Sequence, residues 1–200
     1  MGNGVVLLRQ VERRWHVRAR ERLLEHCGPR TGKKKAQPTA VILDSQSVKN
    51  TATSTRSVGY DAGKCIKGRK RFFLVDTLGN LLTSCVVAAS CHDGTTAAKV
   101  WDALALGNEL LDQVQLVFVD GGFGRRFRQH LAQRGIQAQV PTGVLAQKGR
   151  FFIHAKRWVV ERSIAWAGNN RRLAKDYERK TTHANAWLYV ANIRRLARFT

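Results

Sequence analysis

Short apolar runs at residues 40–44, 72–76, 81–88, 116–119 and 137–140 are rich in β-branched and aromatic side chains, and they predict strands. The run LVFV at 116–119 has no polar interruption, so this strand is expected to be buried on both faces. Apolar positions three and four apart predict helices over about 4–26, 95–105, 125–134, 153–167 and 185–199. In the first of these, Leu8, Val11, Trp15, Ala19 and Leu23 share a face opposite a crowd of arginines, and Cys27-Gly28-Pro29 ends it. In the second, Ala97, Val100, Trp101 and Leu104 form the inner face. Residues 50–63 read as a long polar loop, and 76–80 (DTLGN) as a hairpin turn with Asp76 as a turn residue. Three strands, a helix, a strand, a helix and a strand follow in that order, which is an α/β pattern.

Two of these strands end in an acid. Asp44 closes AVILD, and Asp120 follows LVFV directly. Gly121 and Gly122 come next and leave room for another group to approach the second acid. A third candidate, Glu161, lies one turn beyond Arg157 on the predicted 153–167 helix, where a plain surface ion pair would also account for it. His92 and Asp93 precede Thr95-Thr96, and a loop leading into a capped helix explains them better than a metal pair. If Asp44, Asp120 and Glu161 meet in one cleft, their mutual repulsion requires cations. Hard oxygen ligands suit Mg²⁺ or Mn²⁺, and two such ions can carry an in-line displacement at phosphorus.

Charge narrows the partner. The 200 residues contain 35 Lys and Arg against 14 Asp and Glu, a net charge of +21, with a pI near 11.0. That imbalance attracts polyanions, nucleic acid first and an anionic membrane surface second. With 44% hydrophobic residues and three prolines, the chain is expected to be globular. Lys64, Lys67, Arg69, Lys70 and Arg71 cluster between two predicted strands, and read equally as a solvated face or as a phosphate-binding ridge. Residues 30–38 form a basic linker, 147–150 a basic loop, and 171–175 a further basic run. No apolar run is long enough to span a membrane. Four cysteines without a CxxC pair, and no secretory signal, lead to the expectation of a reduced cytoplasmic protein.

LDSQSVK with Asp44, GYDAGKCIKGRKR, VDGG with Asp120, and RWVVERSIAW followed by RRLAKDYE resemble the insertion-sequence transposases of the DDE superfamily. The resemblance covers about residues 38–198, with 75 residues between Asp44 and Asp120 and 40 between Asp120 and Glu161. It implies an RNase H-like mixed sheet with helices on both faces, in which the first and fourth strands carry the aspartates and a later helix the glutamate. It further implies that Asp44, Asp120 and Glu161 bind two Mg²⁺ or Mn²⁺ ions. The implied reaction is water-driven cleavage of double-stranded DNA at transposon ends, then joining of the freed 3′-OH to target DNA by a homo-oligomer in the bacterial cytoplasm, at the nucleoid.

Arg157 and Glu161 match the arginine and glutamate of the family's tyrosine-arginine-glutamate signature. Its tyrosine is replaced by His154, and the lysine that many relatives carry seven residues after the glutamate is Gly168. Lys64, Lys67, Arg69, Lys70, Arg157, Arg171, Arg172 and Lys175 are the candidate DNA contacts. Residues 1–37 are expected to be a basic helical remnant and linker, lacking most of the family's N-terminal DNA-binding region, ahead of a catalytic domain at 38–200. Two other readings stay open: a catalytically inactive DNA-binding remnant, and an RNase H-like nuclease without strand transfer.

Overall fold

The computed structural model describes residues 37–141 and 155–197, and for Thr95 and residues 155–157 it describes the backbone only. The predicted 4–26 helix, most of the 30–38 linker, the 147–150 loop and His154 lie outside the described residues.

One mixed sheet organises the described chain. β1 (Ala40–Lys49) sits between β3 (Ile66–Asp76), its antiparallel partner, and β5 (Leu116–Val119), which runs parallel to it. The other edge of β3 is shared by β2 (Gly59–Asp61) and β4 (Leu81–Ala88), both antiparallel to it, and β6 (Gln137–Gln139) extends the sheet beyond β5 in parallel. The helices are α1 (Asp93–Ala105), α2 (Gly124–Ala132), α3 (Ala155–Gly168) and α4 (Thr181–Leu196).

Alternation along the strands sorts their side chains onto two faces. Val41 and Leu43 of β1, Phe72 and Leu74 of β3, and Val117 and Val119 of β5 join Trp101, Leu104, Phe127 and Leu131 of α1 and α2 in one core. Edge-to-face contacts of Trp101 and Phe123 with neighbouring phenylalanines fill it. On the opposite face, Phe73 and Leu81 meet Ala167 of α3 and Leu188 and Ala191 of α4. α3 also packs across β1 and β5, and α4 on β4. Helices thus cover both faces of an α/β mixed sheet, with the aspartates at the ends of its first and fourth long strands, the arrangement the sequence resemblance implied. Among the described residues, no helix is long and apolar enough to cross a membrane.

Several expected boundaries move, for one reason. The polar tails SQSVK of β1 and IKGRKR of β3 pair with each other, from Ser45 with Phe72 to Lys49 with Gly68, so backbone pairing extends both strands past their apolar runs. The 50–63 loop contributes the short β2, whose Gly59 lies against Ser90 closely enough that a Cβ would stand 2.3 Å from its Oγ. α1 begins at Asp93, two residues earlier than expected, with the acid in its first turn where the helix dipole favours it.

The hairpin between β3 and β4 is closed by Asp76, whose Oδ1 accepts the backbone N–H groups of Leu78 and Asn80 at 2.8 and 2.9 Å. α3 is fastened to this turn. The buried Ser163 hydroxyl lies 2.7 Å from the carbonyl oxygen of Gly79, and Arg162 Nη2 donates to that of Leu78 at 2.8 Å. Ser163→Ala is expected to lower the stability to urea by about 1–2 kcal/mol, because the Gly79 carbonyl loses a buried donor. An unchanged denaturation midpoint would show that the Arg162 bond alone holds the helix on the turn.

Candidate active site

The register of β1 and β5 brings two acids together. Leu43 pairs with Val119 across the parallel strands, so the next residues, Asp44 and Asp120, leave neighbouring strand ends side by side. Asp44 shares the sheet face of Ile42 and Phe73, the face that α3 covers. Both acids line one hollow of about 60 Å³, walled by Ile42 and Phe118 of the sheet, by Val140 and Pro141 after β6, and by Val160 of α3. That is room for about two waters or a partly hydrated ion. Each carboxylate is aimed by a backbone N–H: Ser45 donates to Asp44 Oδ1 at 2.7 Å, and Gly122 to Asp120 Oδ1 at 2.5 Å, capping a 3-10 turn. A Cβ on Gly121 would meet nothing within 4 Å, so the approach to Asp120 from that side is open.

Glu161 stands on α3 immediately after Val160 of the hollow's wall, with an exposed side chain. Among the described residues, no three His, Cys, Asp or Glu side chains are gathered closely enough to hold a metal ion. The donor set nonetheless fits a hard divalent cation, with paired carboxylates on a small hollow and a third acid one residue outside its wall. Arg157 lies one turn before Glu161 within α3, and its side chain lies outside the described residues. Gly168 ends the helix, and a Cβ there would meet nothing within 4 Å.

The expected phosphate ridge is corrected at its centre. Lys64 and Lys67 are exposed, but Arg69, Lys70 and Arg71 are 0%, 5% and 1% exposed. They belong to β3 itself, where alternation sends them to the two covered faces of the sheet, so Arg69 and Lys70 are interior cations and not DNA contacts. Arg69 donates to the carbonyl oxygens of Arg56, Glu178 and Arg179 and forms a 3.1 Å ion pair with Asp176. Arg71 donates to the carbonyl oxygens of Leu173 and Lys175. Burial lowers the Arg71 guanidinium to about 10; the Asp176 carboxylate opposes this and Arg69 adds to it.

Lys70 points to the α1 side, 3.2 Å from Asp93 and 3.7 Å from Asp61. Asp93 accepts the Ser45 hydroxyl at 3.0 Å, and Asp61 that of Ser47 at 2.5 Å. The Ser47 bond is the main cause that holds the Asp61 carboxyl below the usual carboxylate range. Asp93 is therefore a brace behind the Asp44 strand as well as a helix-start residue. The readable signal was a charged run passing without a break into the apolar FFLV of one strand.

Arg171, Arg172 and Lys175 are exposed on and just after a 3-10 turn that follows α3. Arg172 pairs with Glu178 at 2.7 Å and stacks over Tyr177 and Trp187, which holds its guanidinium in place.

A protein named as the transposase for insertion sequence element IS402, from Burkholderia cepacia, is 30% identical over 129 residues, 60% of this chain and 59% of that one. The chain thus matches about three fifths of that relative's length. Among solved structures, the catalytic core domain of BIV integrase superposes with a TM-score of 0.43 at 16% identity, covering 78% of this chain and 81% of that one. The model of the family described as Transposase DDE domain matches residues 35–194. With the match running from ahead of β1 into α4, the chain belongs to the Transposase DDE domain family.

Proposed function

We propose that this chain is the catalytic part of a DNA transposase that cuts phosphodiester bonds at transposon ends and joins the freed 3′-OH to target DNA. The reading is carried by one observation: Asp44 and Asp120 stand side by side on one hollow at the ends of parallel strands. Asp44 and Asp120 would hold Mg²⁺ or Mn²⁺, and Glu161 would complete the site from α3. When bound, the ions supply activation of the attacking oxygen and stabilisation of the leaving one.

The chain's own residues supply orientation and affinity. The N–H groups of Ser45 and Gly122 fix the two carboxylates, and the Lys70–Asp93–Ser45 network holds the strand end behind Asp44. The exposed Lys64, Lys67, Arg171, Arg172 and Lys175, together with Arg157, are proposed to hold the DNA backbone, as the net charge of +21 favours. Work on two DNA ends implies a homo-oligomer assembled on the DNA.

Titration of Mn²⁺ into the chain, with and without a DNA duplex, tests the site against the Asp44→Asn, Asp120→Asn double variant. Saturable binding by the wild type that the double variant loses is the expected result. Equal binding by both proteins would overturn the assignment of these acids.

A further inference from the structure

α3 carries an ordered stack of aromatic and guanidinium groups that the proposed chemistry leaves unused. Trp158, Arg162 and Trp166 follow at intervals of four, so they share one stripe of the helix. The Arg162 guanidinium lies 4.4 Å from the Trp158 ring and 4.6 Å from the Trp166 ring, and Arg195 of α4 covers Trp166 at 4.6 Å. Both cations are tied to the β3–β4 turn, Arg162 to the Leu78 carbonyl at 2.8 Å and Arg195 to Asn80 Oδ1 at 2.6 Å. The stack is therefore fixed before any ligand arrives, which reduces the ordering entropy of binding.

Its outer member is open. Arg162 covers one face of Trp158, yet the residue is 45% exposed, so the exposure belongs to the other face and the ring edges. Glu161 follows three residues later on the same helix. A flat π surface backed by a guanidinium, on a chain of net charge +21, suits an aromatic ring attached to a polyanion. A base inside a duplex has both faces covered by its neighbours, so only an unpaired or extruded base can present a face to the indole.

We propose that the outer face of Trp158 is a stacking platform for one unpaired nucleobase of the bound DNA, beside the candidate catalytic hollow. This rests on the DNA-acting reading above. The cationic members of the stack disfavour an apolar protein segment as the occupant, and the platform reads no sequence, because every base has a π face.

The test compares a blunt duplex with one ending in a short single-stranded overhang that carries 2-aminopurine, each titrated with the wild type, Trp158→Ala and Trp158→Phe. The wild type is expected to bind the overhang duplex more tightly and to quench the probe. Trp158→Ala should weaken binding to the overhang duplex alone, by about 5- to 150-fold, the range one stacked base contributes. Trp158→Phe should keep most of the preference, because it keeps an aromatic face. Equal losses on both duplexes, or none on either, overturn the platform. So does a wild type that binds both duplexes equally well, and that result leaves the DNA-acting reading intact. A wild type that binds neither duplex overturns that reading, and the platform with it.

Discussion

Asp120→Asn is expected to lower DNA cleavage by at least about a thousandfold, several kcal/mol of barrier, because a neutral amide is a poor ligand for a hard cation. The same change should leave the fold intact. Asn keeps an oxygen where Asp120 Oδ1 accepts the Gly122 N–H, so the 3-10 turn after β5 keeps its cap. It also removes one of two carboxylates that stand at neighbouring strand ends, and relief of like-charge repulsion should hold the melting temperature of the metal-free chain level or raise it. DNA affinity should survive, since the exposed Lys and Arg side chains are untouched. Two measurements check this: single-turnover cleavage of an end-bearing duplex in Mn²⁺, and thermal unfolding in chelator. Persistent metal-dependent cleavage by the variant would remove Asp120 from the site. A fall of several degrees in melting temperature would show that the acid serves the turn first.

This behaviour was legible because the strand ends were. An apolar run that stops at an acid and two glycines places that acid at a sheet edge whatever the partners are. The neighbouring of Asp44 and Asp120 needed one more fact, the parallel pairing of β1 with β5, which the order of strands and helices suggests without specifying. Glu161 was legible only as a spacing on a helix, and its exposed side chain shows why: a helix states which residues share a stripe, not how far that stripe stands from the sheet. The interior cations were misread for a physical reason. A run of charges normally marks solvent, and what buries Arg69 is a segment more than a hundred positions away, reached through bonds to Asp176, Glu178 and Arg179. The Trp158–Arg162–Trp166 stripe was written plainly in the intervals of four. Sequence suggested bulk there, because stacking depends on Arg162 being pinned to a turn that lies 84 positions earlier.

Arg69→Met is expected to cost about 3–5 kcal/mol of stability, the range for removing one partner of a buried ion pair. Methionine can occupy much of the space, but Asp176, 1% exposed, would keep its charge without its arginine, and its Oδ2 already lacks a hydrogen-bond partner. The carbonyl oxygens of Arg56, Glu178 and Arg179 would lose their donor at the same time. Arg71, a cation already weakened by burial, cannot replace it, since it is committed to the carbonyl oxygens of Leu173 and Lys175. Adding Asp176→Asn to Arg69→Met should therefore recover part of the loss, and the double variant should fall short of the sum of the single changes. Urea denaturation of the four proteins measures this coupling, and strict additivity would show that the pair is not a unit. The consequence reaches the surface. The tied segment follows directly on exposed Arg171, Arg172 and Lys175, so loosening it should weaken duplex binding although no phosphate contact has been removed. An arginine that touches no DNA would then be setting where the DNA-facing cations stand.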